Sequence, residues 1–426
     1  MDFEKDFDLE ISDFGFNKIY SLVWDHEYGG SIACLPVIDE GVVYFGCDNY
    51  FLYALDIETG KEIWKFKSGG CAGNYHPVVV DNIVFFGSYD GYLYAINKKT
   101  KKLEWKFKTG DKLVSGIAHE KGKIVFGSRD FYVYCLDMNG NELWRFRTGE
   151  KIVSIPSIKE GKVYIGSYDG CLYCLDFETG KEIWRFRTGG SIGSIAPMNI
   201  KDDKIFFGSW DFNMYCLNRH SGKEIWRFRC GRGAMTCGET DGNVLYFGAK
   251  DGFHAIDISN GKELWVKKLG YNTHSSHTCV YNDKIYVGGG EDTYKRGILV
   301  CFDRQGNILW KFVTDGPCWL GPQIKEGKLV TGSWNCYLYN LDPETGKLIW
   351  KFKTGGGPSK EKVTDHSEIG LVTIITGKGV TNDDQETSIS RDYSHIPEVD
   401  IVDNVYISKS EYSSGSDAYK IKNDYN

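Results

Sequence analysis

The chain has 426 residues, of which 41% are apolar and 15% aromatic, and it contains 51 glycines but only nine prolines. This composition is ample for a large packed core and favours an all-β protein with many tight turns. The net charge is −7; acidic residues predominate in residues 1–29 and 355–426, while the stretch between them is mildly basic. The sequence does not concentrate basic residues in one patch, which argues against a nucleic-acid-binding protein.

The N-terminal sequence and the cysteines favour one cellular compartment over another. Residues 1–6 are acidic and lack the basic and apolar regions of a secretory signal. No uninterrupted apolar run approaches the roughly 20 residues that a membrane span requires. The thirteen cysteines are an odd number, and without an export signal we expect them to be reduced thiols. We therefore expect a cytoplasmic protein with no membrane partner.

The tryptophans mark a repeat with a period near forty residues. In the clearest copy, residues 151–190, short runs rich in β-branched and aromatic residues are separated by Asp-Gly and Thr-Gly turns. This pattern predicts four strands per repeat joined by tight turns, which is one blade of a β-propeller. The tryptophans that set the period are Trp24, Trp64, Trp105, Trp144, Trp184, Trp226, Trp265, Trp310 and Trp350.

The last strand of each repeat alternates aromatic and basic residues. Trp184 and Phe186 point to one face of such a strand, and Arg185 and Arg187 point to the other, because strand side chains alternate. We expect the aromatic face to be buried between neighbouring blades, where each indole can bury roughly 150–250 Å².

In chain order, residues 1–29 form an acidic segment that contains one outer strand around Trp24. Residues 30–354 contain eight complete repeats, and residues 355–393 form an insertion on the channel-mouth face, of a length that is usually functional or disordered. Residues 394–426 align with three strands of the seventh repeat. We therefore predict nine blades, the last completed by the N-terminal strand; eight is the alternative if residues 394–426 do not form strands.

The recurring motif is Ala-x-Asp-x-x-Thr-Gly-Lys-x-x-Trp, seen first at residues 54–64. It resembles the tryptophan-docking propellers of quinoprotein (pyrroloquinoline quinone) dehydrogenases and of the outer-membrane-assembly lipoprotein. The resemblance implies a propeller, usually with eight blades, but the family includes both enzymes and scaffolds. Its enzymes hold calcium and the quinone over the channel beside two adjacent bonded cysteines and a catalytic aspartate. This sequence has no Cys-Cys pair, so we predict no catalytic residues, no cofactor and no metal.

Three repeated features could be functional or structural, and we favour the structural interpretation for each. Cys171 and Cys174 have metal-ligand spacing, but strand residues three apart point to opposite faces. A ring of turn aspartates could gather cations, yet Asp before Gly is ordinary turn chemistry. A belt of outer-strand arginines could bind an acidic partner, although charged edge strands usually prevent aggregation. The aspartates are Asp90, Asp130, Asp169, Asp211 and Asp251; the arginines are Arg145, Arg147, Arg185, Arg187, Arg227 and Arg229.

Positions that depart from the repeat indicate a binding site. The loop entering each innermost strand and the turn between the second and third strands share one face of the ring, and most departures fall there. Polar and aromatic groups around a concave mouth are the default hypothesis for a pocket. His274, His277 and Cys279 lack the acidic ligand or tight spacing of a metal site. The candidate residues are Asn74, Tyr75, His76, Trp210, Arg232, His274, His277, Trp319 and Trp334.

We predict a non-catalytic scaffold that binds a protein or peptide through this face. The alternative is a protein that binds a small molecule, such as a sugar or a quinone-like ligand, at the channel mouth. A quinone-dependent enzyme is the third hypothesis, but the sequence offers no nucleophile, acid pair or metal set at usable spacing.

Overall fold

In the computed structural model, the described residues are 30–72, 76–193, 196–231, 237–274, 276–291 and 295–355, with the backbone of residues 372–374. They form eight antiparallel sheets, each with four consecutive strands in sequence order, and one of them carries an additional strand. The first strands of neighbouring sheets lie side by side around a central channel. The predicted all-β propeller is therefore confirmed. No helix among the described residues is long and apolar enough to cross a membrane.

The first four blades follow one another along residues 37–187. Their strands are β1 (Val37–Asp39), β2 (Val42–Gly46), β3 (Phe51–Asp56), β4 (Glu62–Lys67), β5 (Val78–Val80), β6 (Ile83–Gly87), β7 (Tyr92–Asn97), β8 (Lys102–Lys108), β9 (Ile117–Glu120), β10 (Lys123–Gly127), β11 (Tyr132–Asp137), β12 (Glu142–Arg147), β13 (Ser157–Lys159), β14 (Lys162–Gly166), β15 (Cys171–Asp176) and β16 (Glu182–Arg187).

The other four blades occupy residues 199–353, and the additional strand follows them. Their strands are β17 (Asn199–Lys201), β18 (Lys204–Gly208), β19 (Asn213–Asn218), β20 (Glu224–Arg229), β21 (Glu239–Asp241), β22 (Val244–Ala249), β23 (Gly252–Asp257), β24 (Glu263–Lys267), β25 (Thr278–Tyr281), β26 (Lys284–Gly290), β27 (Gly297–Asp303), β28 (Ile308–Thr314), β29 (Pro322–Lys325), β30 (Lys328–Gly332), β31 (Tyr337–Leu341), β32 (Leu348–Lys353) and β33 (Val372–Ile374).

The middle strands of a blade are buried on both faces because a neighbouring blade covers each face. In the fourth blade, nearly every residue of β14 and β15 is buried, whereas β16 alternates half-buried and exposed residues. The middle strands therefore read as continuous apolar runs, and only the outer strand shows the alternation of a half-exposed strand. The core is thus a set of interfaces between blades.

In seven of the eight blades the outer-strand tryptophan packs on a glycine turn of the next blade; the exception is Trp64. The Trp144 indole Nε1 donates a 3.0 Å hydrogen bond to the Phe177 carbonyl. A Cβ added to Gly180 would lie 2.5 Å from the Trp144 ring, and Gly180 has a φ of +69°. Glycine is required there for its backbone conformation and for the space that the indole occupies.

A small residue lies across the strand pair from each tryptophan. Cys174 pairs with Trp184, and the equivalent position is alanine in three blades and cysteine in three others. Cys174 is fully buried, as is Asn340 in the eighth blade, whose Nδ2 donates to the Ile57 carbonyl. These cysteines therefore fill the slot of a small core residue.

The ring closes with eight blades, so the prediction of nine is wrong and the stated alternative of eight is correct. Trp350 of the eighth blade donates a 2.8 Å hydrogen bond to the Ile57 carbonyl of the first blade and packs on Gly60. This contact repeats the one that Trp144 makes, so no gap is left for a ninth blade. The Lys328 ammonium and the Glu58 carboxylate add an ion pair across the same boundary. Trp24 and residues 394–426, which were predicted to form the ninth blade, lie outside the described residues.

Within the predicted insertion, residues 355–393, the structure describes only Gly355 and the backbone of β33. β33 pairs antiparallel with β28, the outer strand of the seventh blade, so that Trp310 lies opposite Ile374 and Phe312 opposite Val372. The seventh blade thus has five strands, and the fifth lies at the outer rim.

Candidate functional site

The turn between the second and third strands is fixed by the repeated aspartate. The Asp169 carboxylate accepts hydrogen bonds from the Cys171 amide (2.8 Å), the Tyr173 hydroxyl (2.6 Å) and the Gly149 amide (2.7 Å). The last bond ties this turn to the loop that leaves the third blade. Both carboxylate oxygens of Asp169 accept hydrogen bonds within the fold, so this residue stabilises the turn. Asp90, Asp130 and Asp211 make the same three contacts.

The sixth blade departs from this pattern. His254 replaces the tyrosine and is 3% exposed. Its Nδ1 lies 2.9 Å from the Glu263 carboxylate and its Nε2 lies 3.3 Å from that of Asp251. The ring also stacks on Phe247 at 5.2 Å, as the tyrosines stack on phenylalanine elsewhere. His254 therefore replaces the tyrosine structurally and lies within the blade.

The residue just before the repeated aspartate is presented at the channel mouth. In the first, seventh and eighth blades Asn49, Glu291 and Asn335 replace the aspartate. The eight blades thus place one residue each at equivalent points of one ring, which we call the mouth ring. Its members are Asp48, Tyr89, Arg129, Tyr168, Trp210, Lys250, Gly290 and Trp334, and all except the buried Gly290 are half-buried.

Large members of the mouth ring fit against small residues of the next blade. A Cβ added to Gly193 would lie 2.6 Å from the Tyr168 ring, so glycine leaves room for that tyrosine. In the seventh blade the sizes are reversed. There Gly290 leaves room for Trp319 of the eighth blade, whose Nε1 would be 2.4 Å from an added Cβ. The mouth is therefore closely packed with aromatic rings.

Three predicted site residues form one aromatic cluster at the seventh and eighth blades. The rings of His274 and Trp319 are 6.4 Å apart, and those of Trp319 and Trp334 are 4.8 Å apart and edge-to-face. His274 is 3% exposed, and its Nδ1 has no hydrogen-bond partner among the described residues. Burial lowers the pKa of His274 to about 3, with a further contribution from the charge of Lys250. His274 is therefore neutral at pH 7.

Two further predicted histidines, His76 and His277, occupy the same position of the second and seventh blades and are half-buried. Burial lowers the pKa of His76 and of His277 to about 4, and the charge of His277 adds to the effect on His76. Nδ1 of each ring lacks a partner in the part of the chain that the structure describes. Both imidazoles are thus neutral at pH 7, and each has a buried ring nitrogen whose hydrogen-bonding capacity is unused among the described residues.

The charged groups of the mouth are unevenly distributed. Lys112 and Lys151 lie 5.5 Å and 4.7 Å from the rings of Tyr89 and Tyr168, and Arg129 has a buried Nε without a partner among the described residues. On the first blade, burial raises the pKa of Asp48 to about 6, and the Cys71 thiol donates to its carboxylate over 2.7 Å. Basic groups therefore lie on the third, fourth and sixth blades, the last being Lys250, and the acid lies on the first.

The structure brings together His274, Trp319 and Trp334, places His76 and His277 at equivalent positions of the second and seventh blades, and places Trp210 on the mouth ring. The remaining candidates, Asn74, Tyr75 and Arg232, lie outside the described residues. Several ring members were not predicted, because the residue before the turn aspartate resembles part of the regular repeat. Its variation between blades was the signal that could have found them: Asp48, Tyr89, Arg129, Tyr168 and Lys250.

Three of the six outer-strand arginines, Arg145, Arg185 and Arg227, pair with a glutamate of their own strand. Arg185 makes two hydrogen bonds to Glu182, at 2.7 and 2.8 Å, while its guanidinium lies 5.3 Å from the Tyr173 ring. Arg227 pairs with Glu224 in the same way. These contacts favour the structural interpretation of the arginine belt, namely protection of an exposed sheet edge.

The repeated contacts define this protein as an eight-bladed propeller whose blades are joined by outer-strand tryptophans. A family model described as "Outer membrane protein assembly factor BamB" matches residues 21–125, 129–211, 172–294 and 295–390. Since these matches cover most of the sequence, the chain belongs to this family of PQQ-like propeller repeats, as the motif predicted.

Individual relatives match shorter segments. The outer membrane protein assembly factor BamB of Nitrosomonas eutropha is 29% identical over 118 residues, 27% of each chain. The quinoprotein alcohol dehydrogenase PedE of Pseudomonas putida is 38% identical over 112 residues, 24% of this chain and 16% of the enzyme. The crystal structure of BamB from Moraxella catarrhalis has a TM-score of 0.61 at 16% identity, covering 71% of this chain and 94% of that one. It supports the fold alone, and the chain matches less than a third of these two curated relatives.

Among the described residues, the mouth offers few ligands for the calcium that the resemblance to quinoprotein dehydrogenases implied. Calcium takes six to eight oxygen ligands, several of them carboxylates. Asp48 is the only acidic member of the mouth ring, and burial raises its pKa. No group of three or more His, Cys, Asp or Glu side chains in the described ranges is arranged to hold a metal ion, and the sequence lacks adjacent cysteines.

Proposed function

We propose that this protein is a non-catalytic scaffold that binds a protein or peptide through the mouth ring and the loops around it. The BamB family membership supports a protein-binding propeller in general. The observation that carries the choice of face is the mouth ring itself, in which seven large or charged side chains are half-exposed on an otherwise regular repeat.

The chemistry of the mouth is that of a recognition surface. Tyr89, Tyr168, Trp210 and Trp334 offer aromatic area, and such residues are enriched among the contacts that dominate binding energies. The Arg129 Nε is buried without a partner among the described residues, so a ligand that bonds to it recovers a lost hydrogen bond. The acid lies on the first blade and the bases on the third, fourth and sixth, an uneven distribution that would orient an asymmetric partner.

Site-specific photocrosslinking tests the face. A photoreactive residue at position 168 or 210 is compared with one at position 81 or 326, exposed turn positions at the opposite end of the strands. We expect one partner to crosslink at both mouth positions and to lose at least about tenfold in affinity for Trp210→Ala/Trp334→Ala. Equal crosslinking on the two faces, or full affinity of the double variant, would reject the proposal.

A second candidate function is small-molecule binding in the channel. The unpartnered Nδ1 atoms of His76, His274 and His277 favour it, because buried polar atoms normally have partners. The test is thermal-shift screening with monosaccharides and with pyrroloquinoline quinone plus calcium. A ligand that stabilises the wild type, but not a His76→Gln/His277→Gln variant, would favour this function over protein binding.

A further inference from the structure

The outer strand of each blade has one edge that no strand of its own blade covers. In the fifth blade, Glu224 and Arg229 flank Trp226 and Phe228 and keep this edge charged. Most blades have acidic or basic residues at one or both of these positions, which discourages pairing with another strand.

The seventh blade lacks this protection. Ile308 and Val313 occupy the positions of Glu224 and Arg229. Its outer strand β28 is also buried more deeply: Phe312 is 1% exposed, whereas Phe228 of the fifth blade is only half-buried. Lys311 is half-buried, and burial lowers its pKa, although Arg227 at the equivalent position is 55% exposed.

The strand that covers this edge has matching chemistry. β33 lies in the sequence run Leu-Val-Thr-Ile-Ile-Thr, residues 371–376, which is uncharged, rich in β-branched residues and flanked by glycines. Such runs favour strands and also tend to pair with open sheet edges. The uncharged edge and the uncharged run are independent features of the sequence, and the structure pairs them.

We infer that the outer edge of the seventh blade is a strand-acceptor site, held in cis by β33, which takes up an extended, uncharged, β-branched strand of a partner protein when β33 leaves. Recognition would come from backbone hydrogen bonds along β28, with Ile308 and Val313 selecting an uncharged strand. The cis pairing spans three residue pairs, so the contact is short enough to exchange. This surface is separate from the mouth ring and does not depend on the function proposed for it.

The full-length Thr373→Pro variant tests the cis contact, because proline inside a strand removes a backbone donor. The substitution lies outside the four-stranded blades. We expect amide hydrogen exchange of residues 308–314 to rise in this variant, while residues 224–230 of the fifth blade serve as the internal control. Unchanged exchange at residues 308–314 would overturn cis occupancy.

Binding in trans is tested with a fluorescent synthetic peptide of residues 368–379. We expect it to bind the Thr373→Pro protein, and to bind the wild type at least about tenfold more weakly, because a tethered strand competes at an effective concentration on the order of millimolar. Adding Ile308→Glu and Val313→Arg, which copies the fifth blade, should abolish binding. Because both side chains also pack on the buried cluster between the sixth and seventh blades, we expect a lower melting temperature, and binding is compared at a temperature at which circular dichroism shows both proteins folded.

Two results would overturn the trans proposal. One is that the Thr373→Pro protein does not bind the peptide, or that adding Ile308→Glu and Val313→Arg to it leaves the affinity unchanged. The other is a wild-type dimer that the charged edge dissociates, because it would identify a second copy of this chain as the occupant.

Discussion

The rim and the mouth of this propeller are built from the same repeat but follow different rules. At the rim, a tryptophan packs on a glycine turn of the next blade in nearly the same way at seven of the eight boundaries, for example Trp144 on Gly180 and Trp350 on Gly60. At the mouth, equivalent positions hold an acid, two bases, four aromatics and a glycine. The repeated contact at the rim closes the ring. At the mouth, the variation gives the blades different chemical groups and leaves some polar atoms without partners among the described residues.

Removing one tryptophan from each region is the most direct test of whether the rim stabilises the fold more than the mouth does. Trp310 at the rim is 1% exposed and donates to the Pro343 carbonyl. We expect Trp310→Ala to lower the free energy of unfolding by about 3–5 kcal/mol, as for other buried aromatic truncations. The half-exposed Trp210 of the mouth is the control, and its alanine variant should lose about 1 kcal/mol or less. Urea unfolding measures both, and equal losses would contradict the division between rim and mouth.

The buried His274 at the mouth should make the stability of the protein depend on pH. The pKa of His274 in the folded protein is about 3, below that of an ordinary histidine, so the unfolded chain binds the proton first as pH falls. Stability contributed by neutral His274 is therefore present near pH 7 and is lost as pH falls below about 6.5.

When the pH falls from 7 to 5, the free energy of unfolding should fall in both proteins. We expect the fall to be about 2 kcal/mol smaller in His274→Gln than in the wild type. His220, which is 43% exposed, provides the control. Urea titrations at both pH values measure the change. A wild-type pH dependence that His274→Gln leaves intact would show that water reaches this imidazole in the folded protein.

The blade and its boundaries could be predicted from sequence because they rest on local signals repeated eight times. Turn glycines, the small residue opposite each tryptophan and the aromatic alternation all lie within one repeat. The number of blades could not be predicted in this way, because it depends on which blade the last tryptophan packs against. Trp350 finds Gly60 of the first blade, a contact across 290 residues that no local pattern contains.

The mouth was only partly predictable for a related reason. Departures from the repeat identified His274, Trp319 and Trp334, but not that Gly290 leaves the space into which Trp319 fits. Asp48 was overlooked because an acid in a polar turn is unremarkable in sequence. Its significance comes from burial and from the Cys71 thiol, both of which require neighbouring loops to be in place.

A glycine pair separates backbone strain from packing at the rim. Gly180 and Gly161 both have positive φ, +69° and +71°, but only Gly180 has an indole within reach of an added Cβ. We expect Gly161→Ala to cost about 1 kcal/mol from the backbone alone. Gly180→Ala should cost about 2 kcal/mol more, because the Trp144 ring must shift. Thermal unfolding measures the difference, and equal costs would show that Trp144 adapts to the extra methyl group.

The smallest expected effect concerns the acid of the mouth. Because burial raises the pKa of Asp48 to about 6, the folded protein holds this proton more tightly than the unfolded chain does. Stability associated with Asp48 is therefore present at pH 4 and falls as pH rises towards about 6. We expect Asp48→Asn, which keeps an acceptor for the Cys71 thiol, to be about 1 kcal/mol more stable than the wild type at pH 7 and no more stable at pH 4.

Asp81→Asn, in an exposed turn at the opposite end of the strands, is the matched control and should show no such gain at pH 7. If the Asp48 gain appears, the mouth retains a carboxylate that lowers the stability of the fold at neutral pH. That cost would have no counterpart at the rim, where every repeated contact stabilises the ring, and it would favour a binding role for Asp48. If Asp48→Asn instead destabilises the protein at pH 7, the carboxylate serves the fold, and Asp48 belongs with the turn aspartates.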